Sequence, residues 1–506
     1  MEKATKAFDS IKSKVSSNLF MHNSAELTHY FKDFIEKYEL NDETKQIKIT
    51  FAILAGATAV LLLKKALTES KLANSSGRKD QRKNKRSNWN KKSEIKGEIN
   101  LLLEESELRK SVISEMNYNL VFFIDPQAGK TFDGMANLRF ILDKQKLLKG
   151  KPLFLDYQGQ RVTKLRINDQ DVKSISKCWN NNSRLELDSE LLKDGLNNVE
   201  VYFTNEYSEE GGLVLVKDSE GQEYVYTDTK PFSSNKIYPC FDQPSIKAQT
   251  KLLLVTPQGW NVVSNDTPVQ IDDISSGFTD HMTENLKKTL GELNTNWELS
   301  AFDNLERLTP SSFGFIAGKF ESILLDDKSH NLPNLAIHAR PALAKQLRAE
   351  SEDLFMIMVN ALEYLKNVFG RNPAAPKVDL FFLPGVPEQG ISLSGCCVVD
   401  EEFLNLYEAD VMGHTERAVE IAQQLVYGWI GHSITTEWCN DSWIDEGLSL
   451  FLGHLALTKI CRSLEGKMKK GNQLTEKNIW SHFIYNKGVS LIDSDIQLNY
   501  PISLDI

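Results

Sequence analysis

The sequence predicts an α+β chain in which a β-rich domain is followed by an α/β domain and preceded by a single transmembrane helix. Three patterns carry that expectation. From Asn117, the runs N-Y-N-L-V-F-F-I-D-P and T-F-D-G-M-A-N-L-R-F-I-L alternate apolar and polar residues, with Gly and Asp between runs, as strands and hairpins do. Helical periods take over near Ala342 to Phe369. Ile49 to Leu63 runs without one charge and stops at Lys64-Lys65, the pattern of a helix that crosses a bilayer.

Taken in order, residues 1–46 mix Lys with Asp and Glu and place Phe8, Ile11, Val15 and Leu19 at helical spacing, which reads as a solvated helical lead-in. The acids in it argue against a transit peptide, and no cleavable signal peptide is evident. The expected span is 47–65: the uncharged run is short against the roughly 20 residues a bilayer needs, but Ile47 and snorkelling lysines extend it. Residues 66–107 are expected to form a basic disordered linker and a short helix. Up to Lys92, Lys71, Arg78, Lys79, Arg82, Lys83, Lys85, Arg86, Lys91 and Lys92 stand against Glu69 and Asp80 in a Ser/Asn-rich stretch with no apolar period. Its positive charge flanks the C-terminal side of the span, so the large domain is expected on the cytosolic or matrix side. Strand-like runs continue through Val199 to Phe203 and Thr250 to Thr256, giving a β domain over 108–310 and an α/β domain over 311–506.

Composition sets outer limits. The 506 residues are 41% hydrophobic and 25% charged, which is a globular balance. A net charge of −10 argues against a nucleic-acid binder, and the basic linker is explained as a stop-transfer flank. Cysteines 178, 240, 396, 397, 439 and 461 form no C-x-x-C pair and no disulfide framework. Asn74, Asn181, Asn265 and Asn440 each begin an N-x-S/T triplet, which matters only in a secretory lumen.

The stretch Q-Q-L-V-Y-G-W-I-G-H-S-I-T-T-E-W-C-N-D-S-W-I-D-E-G, Gln423 to Gly447, resembles the active-site block of the M1 aminopeptidases, the aminopeptidase N family. In that family the block begins H-E-x-x-H. Two histidines four apart share one helix face and bind one zinc, and the glutamate between them deprotonates the metal-bound water. Matching Trp429, Gly431, Thr435, Glu437, Trp438, Asn440, Asp441, Trp443 and Glu446-Gly447 puts Gln423 and Tyr427 at the histidines and Gln424 at the general base. Only Glu446 is kept as a metal-type residue. An amide and a phenol are poor partners for zinc, and an amide cannot take a proton near neutral pH. The resemblance therefore implies a degenerate site from which zinc is lost, with no cofactor. His414, His432 and His454 are ligand-type side chains too, but no two of them lie four apart.

The likeness extends upstream through Y-V-Y-T-D-T-K-P (Tyr224 to Pro231), I-Y-P-C-F-D-Q-P-S-I-K-A (Ile237 to Ala248), Pro257 to Trp260, Ser264-Asn265, Phe313 to Phe320 and Leu335 to Asn372. It implies a saddle-like N-terminal β domain and a thermolysin-like catalytic-type domain. In active relatives a glutamate of G-A-M-E-N on an edge strand and a glutamine of the N-terminal domain hold the substrate's amino terminus. An ungapped match of Phe381 to Cys396 places Ser392 at that glutamate; a gapped match through Gly385 to Gln389 keeps Glu388 but puts a proline into the strand. Asp228 falls at the glutamine. The family's transition-state tyrosine and helical C-terminal domain lie beyond the segment resembling Asp493 to Ile502, so a truncated domain is expected.

The expectation is a membrane-anchored, catalytically inactive aminopeptidase-like protein that works by binding. It would be a subunit of a membrane complex or a peptide-recognising pseudoenzyme, with the lipid bilayer and other protein subunits as partners. The alternative is an active metallo-aminopeptidase with an atypical metal site drawing on Glu446, Glu388 and His432.

Overall fold

A computed structural model describes residues 101–497, apart from 128, 148–151, 181–182, 231, 276, 293–295, 327–329, 388–389, 407–409 and 470–472. The expected span at 47–65, the lead-in, most of the basic linker and Glu388 lie outside the described residues. Among those described, no helix is long and apolar enough to cross a membrane.

Helix α1, Leu103–Val112, runs straight into the strand Ile113–Phe123. That strand is near the centre of an eight-stranded sheet ordered Pro268–Val269, Trp297–Leu308, Ala248–Pro257, Ile113–Phe123, Thr131–Leu142, Gly195–Glu206, Arg161–Ile167, Gln170–Asp171. Its pairing with Ala248–Pro257 is parallel, and every other pairing in this sheet is antiparallel. The runs read from sequence as strands fall inside these elements, except that Ile124 to Pro126 of the first run lie beyond the end of its strand at Phe123. Tyr118 to Phe122 are buried without a break because the sheet is covered on both faces in its middle: Leu120 and Phe122 join the main β core, and Val121 joins Met135, Leu253 and Met282 on the other side.

Arg109 of α1 is 2% exposed and forks onto Asp156, at 2.7 and 3.1 Å, and onto the Phe154 carbonyl. A buried guanidinium needs such a matched partner, which fixes α1 against the strand Leu153–Tyr157.

A four-stranded sheet, Asn261–Ser264, Phe315–Gly318, Glu223–Asp228, Gly212–Lys217, completes the β-rich part. Phe315–Gly318 follows residue 310 yet pairs with β-domain strands on both sides, so the β-rich part reaches beyond the expected boundary. The next sheet orders Glu321–Leu324, Asn334–Ala339, Lys377–Leu383, Cys396–Asp400 and Ile391–Leu393, with the last as an antiparallel edge. Tyr224, Tyr226 and Ile316 of the four-stranded sheet share a core with Phe381, Leu383 and Leu393 of this one.

Helix α2 (Ala344–Phe369) is the crossover between the parallel strands Asn334–Ala339 and Lys377–Leu383, and helices α3 (Val411–Val426), α4 (Ser442–Leu464) and α5 (Glu476–Gln497) follow the sheet. α2 ends where Gly370 takes the left-handed conformation, φ 75°, and closes the last turn on Lys366. Leu354, Met358 and Leu362 of α2 pack with Ala418, Ala422 and Leu425 of α3 and with Ala456 and Leu457 of α4. The mixed α+β architecture expected from the pattern is observed, a β-rich N-terminal part before a helical region.

Candidate functional site

Helix α3 carries Gln423 and Gln424 and ends at Tyr427. Asp410 starts it, its carboxylate accepting the Gly413 amide at 2.9 Å. Gly431, at φ 105°, turns the chain beyond it, and an added Cβ there would stand 2.9 Å from the Tyr427 ring. Trp429 anchors the turn by stacking on Phe369 and donating its indole N–H to the Arg371 carbonyl at 3.0 Å. Gly453 of α4 lets the two helices touch, since a Cβ there would lie 2.9 Å from the Gln423 amide nitrogen. The close crossing brings Glu446, two turns earlier on α4, opposite Tyr427.

The Tyr427 hydroxyl donates to Glu446 Oε2 in a short hydrogen bond. The other oxygen of Glu446, Oε1, accepts from the Lys230 ammonium at 3.4 Å, and that ammonium sits 3.5 Å from the centroid of the Tyr427 ring. Burial, then the Glu446 charge, push the Tyr427 phenol well above its ordinary pKa, so it stays a donor. Gln423 and Ser449 approach the same phenol. Gln424 is 2% exposed and donates to Glu420 Oε1 at 2.6 Å. Burial raises the Glu420 carboxyl to about 7 although the Gln424 bond opposes it, and Glu446 adds to the rise. Asp445 is raised to about 6, again chiefly by burial.

Ser392, on the edge strand, meets His432 Nε2 at 3.0 Å, and His432 Nδ1 meets Ser312 Oγ at 2.8 Å. Burial, and then the charges of Lys230 and Lys247, hold His432 well below its ordinary pKa, so it is a neutral link between two serines. Lys247 Nζ donates to the carbonyls of His432 at 3.2 Å and Ser433 at 2.9 Å, fixing the loop. Asp228 is buried and accepts backbone hydrogen bonds from Gly211, at 3.1 Å, and from Lys230; burial raises its pKa. His414 lies in the first turn of α3, and His454 meets His482 of α5 at 3.3 Å. Of the residues singled out from sequence, Tyr427 and Glu446 are in contact, Ser392 and His432 form a second pair, and Asp228 touches neither. Among the described residues no group of three His, Cys, Asp or Glu is placed to hold a metal ion.

Glu420, Ser312 and Lys230 are among the residues of this site that the sequence did not single out. Glu420 had a visible signal, one helical turn before Gln424 on the same face. Ser312 and Lys230 had none. Lys230 is in the quoted Tyr224 to Pro231 segment, but its partner is 216 residues further along the chain. Asn265, the start of one N-x-T triplet, is 4% exposed and donates to the carbonyls of Ser312 at 2.9 Å and Ser394 at 2.8 Å. Folded protein cannot offer that amide for glycosylation.

The architecture, a β-rich part joined through a shared core to a sheet with an antiparallel edge strand and then a helical region, agrees with two matches to known families. Residues 114–283 match the Peptidase M1 N-terminal domain and residues 355–484 the Peptidase family M1 domain. The chain belongs to the M1 peptidase family, with N-terminal and catalytic domains. Among curated relatives, Aminopeptidase N of Streptomyces lividans is 23% identical over 358 residues, which is 70% of this chain and 38% of the relative. Aminopeptidase N of Canis lupus familiaris is 24% identical, covering 69% and 35%. Leucyl aminopeptidase of Saccharolobus solfataricus is 22% identical, covering 70% and 39%. The chain thus spans about two-fifths of the length of these relatives.

Proposed function

We propose that this M1-family chain is a membrane-anchored, catalytically inactive aminopeptidase-like protein that works by binding, as a subunit of a membrane complex or as a reader of peptides. One observation carries the proposal: both oxygens of Glu446 are engaged by the protein itself, one by the Tyr427 hydroxyl and one by the Lys230 ammonium.

Zinc, the metal the family resemblance implies, is held by thiolate, imidazole or carboxylate. Tested against that requirement, the donor set does not fit: Gln423 and Gln424 are amides, Tyr427 is a phenol kept protonated, and Glu446 is the one carboxylate in contact. An ammonium beside that carboxylate also repels a second cation. Gln424, at the position of the general base, is an amide and cannot itself accept a proton from water.

Metal analysis of the purified chain by plasma mass spectrometry, together with hydrolysis of amino-acid anilides with and without chelator, tests the proposal. The expected result is less than stoichiometric zinc and no chelator-sensitive turnover. Stoichiometric zinc with chelator-sensitive release of the anilide would establish the opposing reading, an aminopeptidase with an atypical metal site around Glu446. The anchor at 47–65 rests on the uncharged run and the basic flank that follows it. It predicts that the full chain stays with membranes through carbonate extraction and that its large domain is digested by protease added to the cytosolic or matrix side. Release into the soluble fraction would remove the anchor from the proposal.

A further inference from the structure

We propose that the space between the Tyr427 ring and the Glu446 carboxylate is a primary-ammonium site, occupied in cis by Lys230. The inference rests on the reading that this cleft holds no metal, and it says what replaces the missing positive charge.

Tyr427 and Glu446 make an ammonium site by their chemistry. The face of a phenol ring attracts a cation, and a carboxylate beside it supplies a full negative charge. Lys230 meets both: Nζ is 3.5 Å from the ring centroid and 3.4 Å from Glu446 Oε1. The third element is the Tyr427 hydroxyl, which donates to Oε2 of the same carboxylate and so locks ring and acid into one unit. The ammonium does not fill the site because nothing else could reach it. The Lys230 side chain is 32% exposed and that of Glu446 is 44% exposed, so solvent and soluble ligands have access.

The backbone brings the lysine in from outside the helical region. Lys230 follows the strand Glu223–Asp228, and Thr229 Oγ1 donates to the Ser311 carbonyl at 2.7 Å, which fixes the chain one residue before it. The cation is therefore delivered by the β domain to the Tyr427 ring at the end of α3 and the Glu446 carboxylate of α4. Its charge also bears on His432 and Asp445. A ligand that presents a primary amine competes directly with Lys230, whereas a ligand without one leaves the contact in place.

Chemical rescue tests this. In the full chain, Lys230→Ala is expected to lower Tm by about 2 °C or more, and n-propylammonium chloride at tens of millimolar is expected to restore most of that loss. The same amine should leave wild type unchanged, because its site is filled, and should leave Lys230→Ala/Glu446→Gln unchanged, because its carboxylate is gone. Lys230→Arg, which keeps a cation at the ring, should retain most of the wild-type Tm. Sodium chloride at equal concentration controls for ionic strength and should rescue nothing. The assignment is overturned if Lys230→Ala melts with wild type, if the amine fails to rescue it, or if the amine raises all the variants alike. Zinc bound to wild type would defeat the inactive reading itself; failed rescue in metal-free wild-type and variant chains would defeat the Lys230 assignment alone.

Discussion

Two lysine–carboxylate contacts in this chain look alike by composition and differ in what surrounds them. Lys377 meets Asp379 two residues away on one strand, with side chains only 10% exposed each. Asp379 also binds His338 Nε2 at 2.9 Å, His338 stacks on Phe381, and Lys377 donates to Cys396 Sγ at 3.5 Å. Burial would raise the Asp379 pKa, but the His338 bond and the Lys377 charge outweigh it and hold the carboxyl below its ordinary value. Lys230 and Glu446 come from distant parts of the sequence and remain 32% and 44% exposed. The first pair is part of how the sheet is built. The second has the access and the looser geometry that a soluble ligand needs.

The largest effect is expected where the comparison is sharpest. Asp379→Ala leaves the Lys377 ammonium buried with no carboxylate, and removing one member of a buried pair costs roughly 3–5 kcal/mol. Urea unfolding followed by fluorescence should show that loss. A cost under about 1 kcal/mol, the surface-pair value, would mean that water reaches Lys377 and would erase the distinction between the two sites.

Next comes Glu420, a buried acid with no cation beside it among its named partners. Its folded carboxyl titrates near 7 against the ordinary 4.5, so between those values the folded chain holds more protons than the unfolded one. Stability on this account is greatest below pH 4.5 and falls as pH rises to 7. Glu420→Gln removes the term and should gain up to roughly 3 kcal/mol over wild type at pH 8, with little gain at pH 4.5. His432 has the opposite sign: a base kept neutral by burial loses stability to the unfolded state as pH drops below its ordinary 6.5. Equal gain from Glu420→Gln at both pH values would show that the carboxyl is not protonated in the fold.

Much of the fold was legible because its signals are local. Alternation from Asn117 located the two long strands, a helical period marked α2 to within two residues at its start, and Gly370 stands where a helix needs a residue at positive φ. The block around Trp429, Gly431 and Glu446 was legible as a family likeness, and the family is what the comparisons show. The contacts inside the block were not. Tyr427 reaches Glu446 because Gly453 allows two helices to cross, and Lys230 arrives from another domain; neither fact leaves a period or spacing in the chain. Ser392 was singled out by the ungapped match of Phe381 to Cys396 to the family's G-A-M-E-N segment, and the His432 contact that occupies it depends on a loop turned by Gly431.

A third lysine completes the series and gives the smallest expected effect. Lys110 of α1 lies 2.6 Å from Glu437, closer than Lys230 is to Glu446, but the two side chains are 46% and 80% exposed. If distance set the strength, this would be the stronger pair. Water and salt screen it, and two long side chains must be ordered to form it, so exposed pairs contribute only about 0.2–1 kcal/mol. Lys110→Ala should therefore change the urea midpoint least of the three lysine–carboxylate substitutions, and its effect should vanish in 1 M salt, where the Debye length is about 3 Å. A salt-insensitive loss at Lys110 as large as that at Lys230 would mean that exposure does not rank these contacts, and the case for an open ammonium site at Tyr427 and Glu446 would lose its physical contrast with an ordinary surface pair.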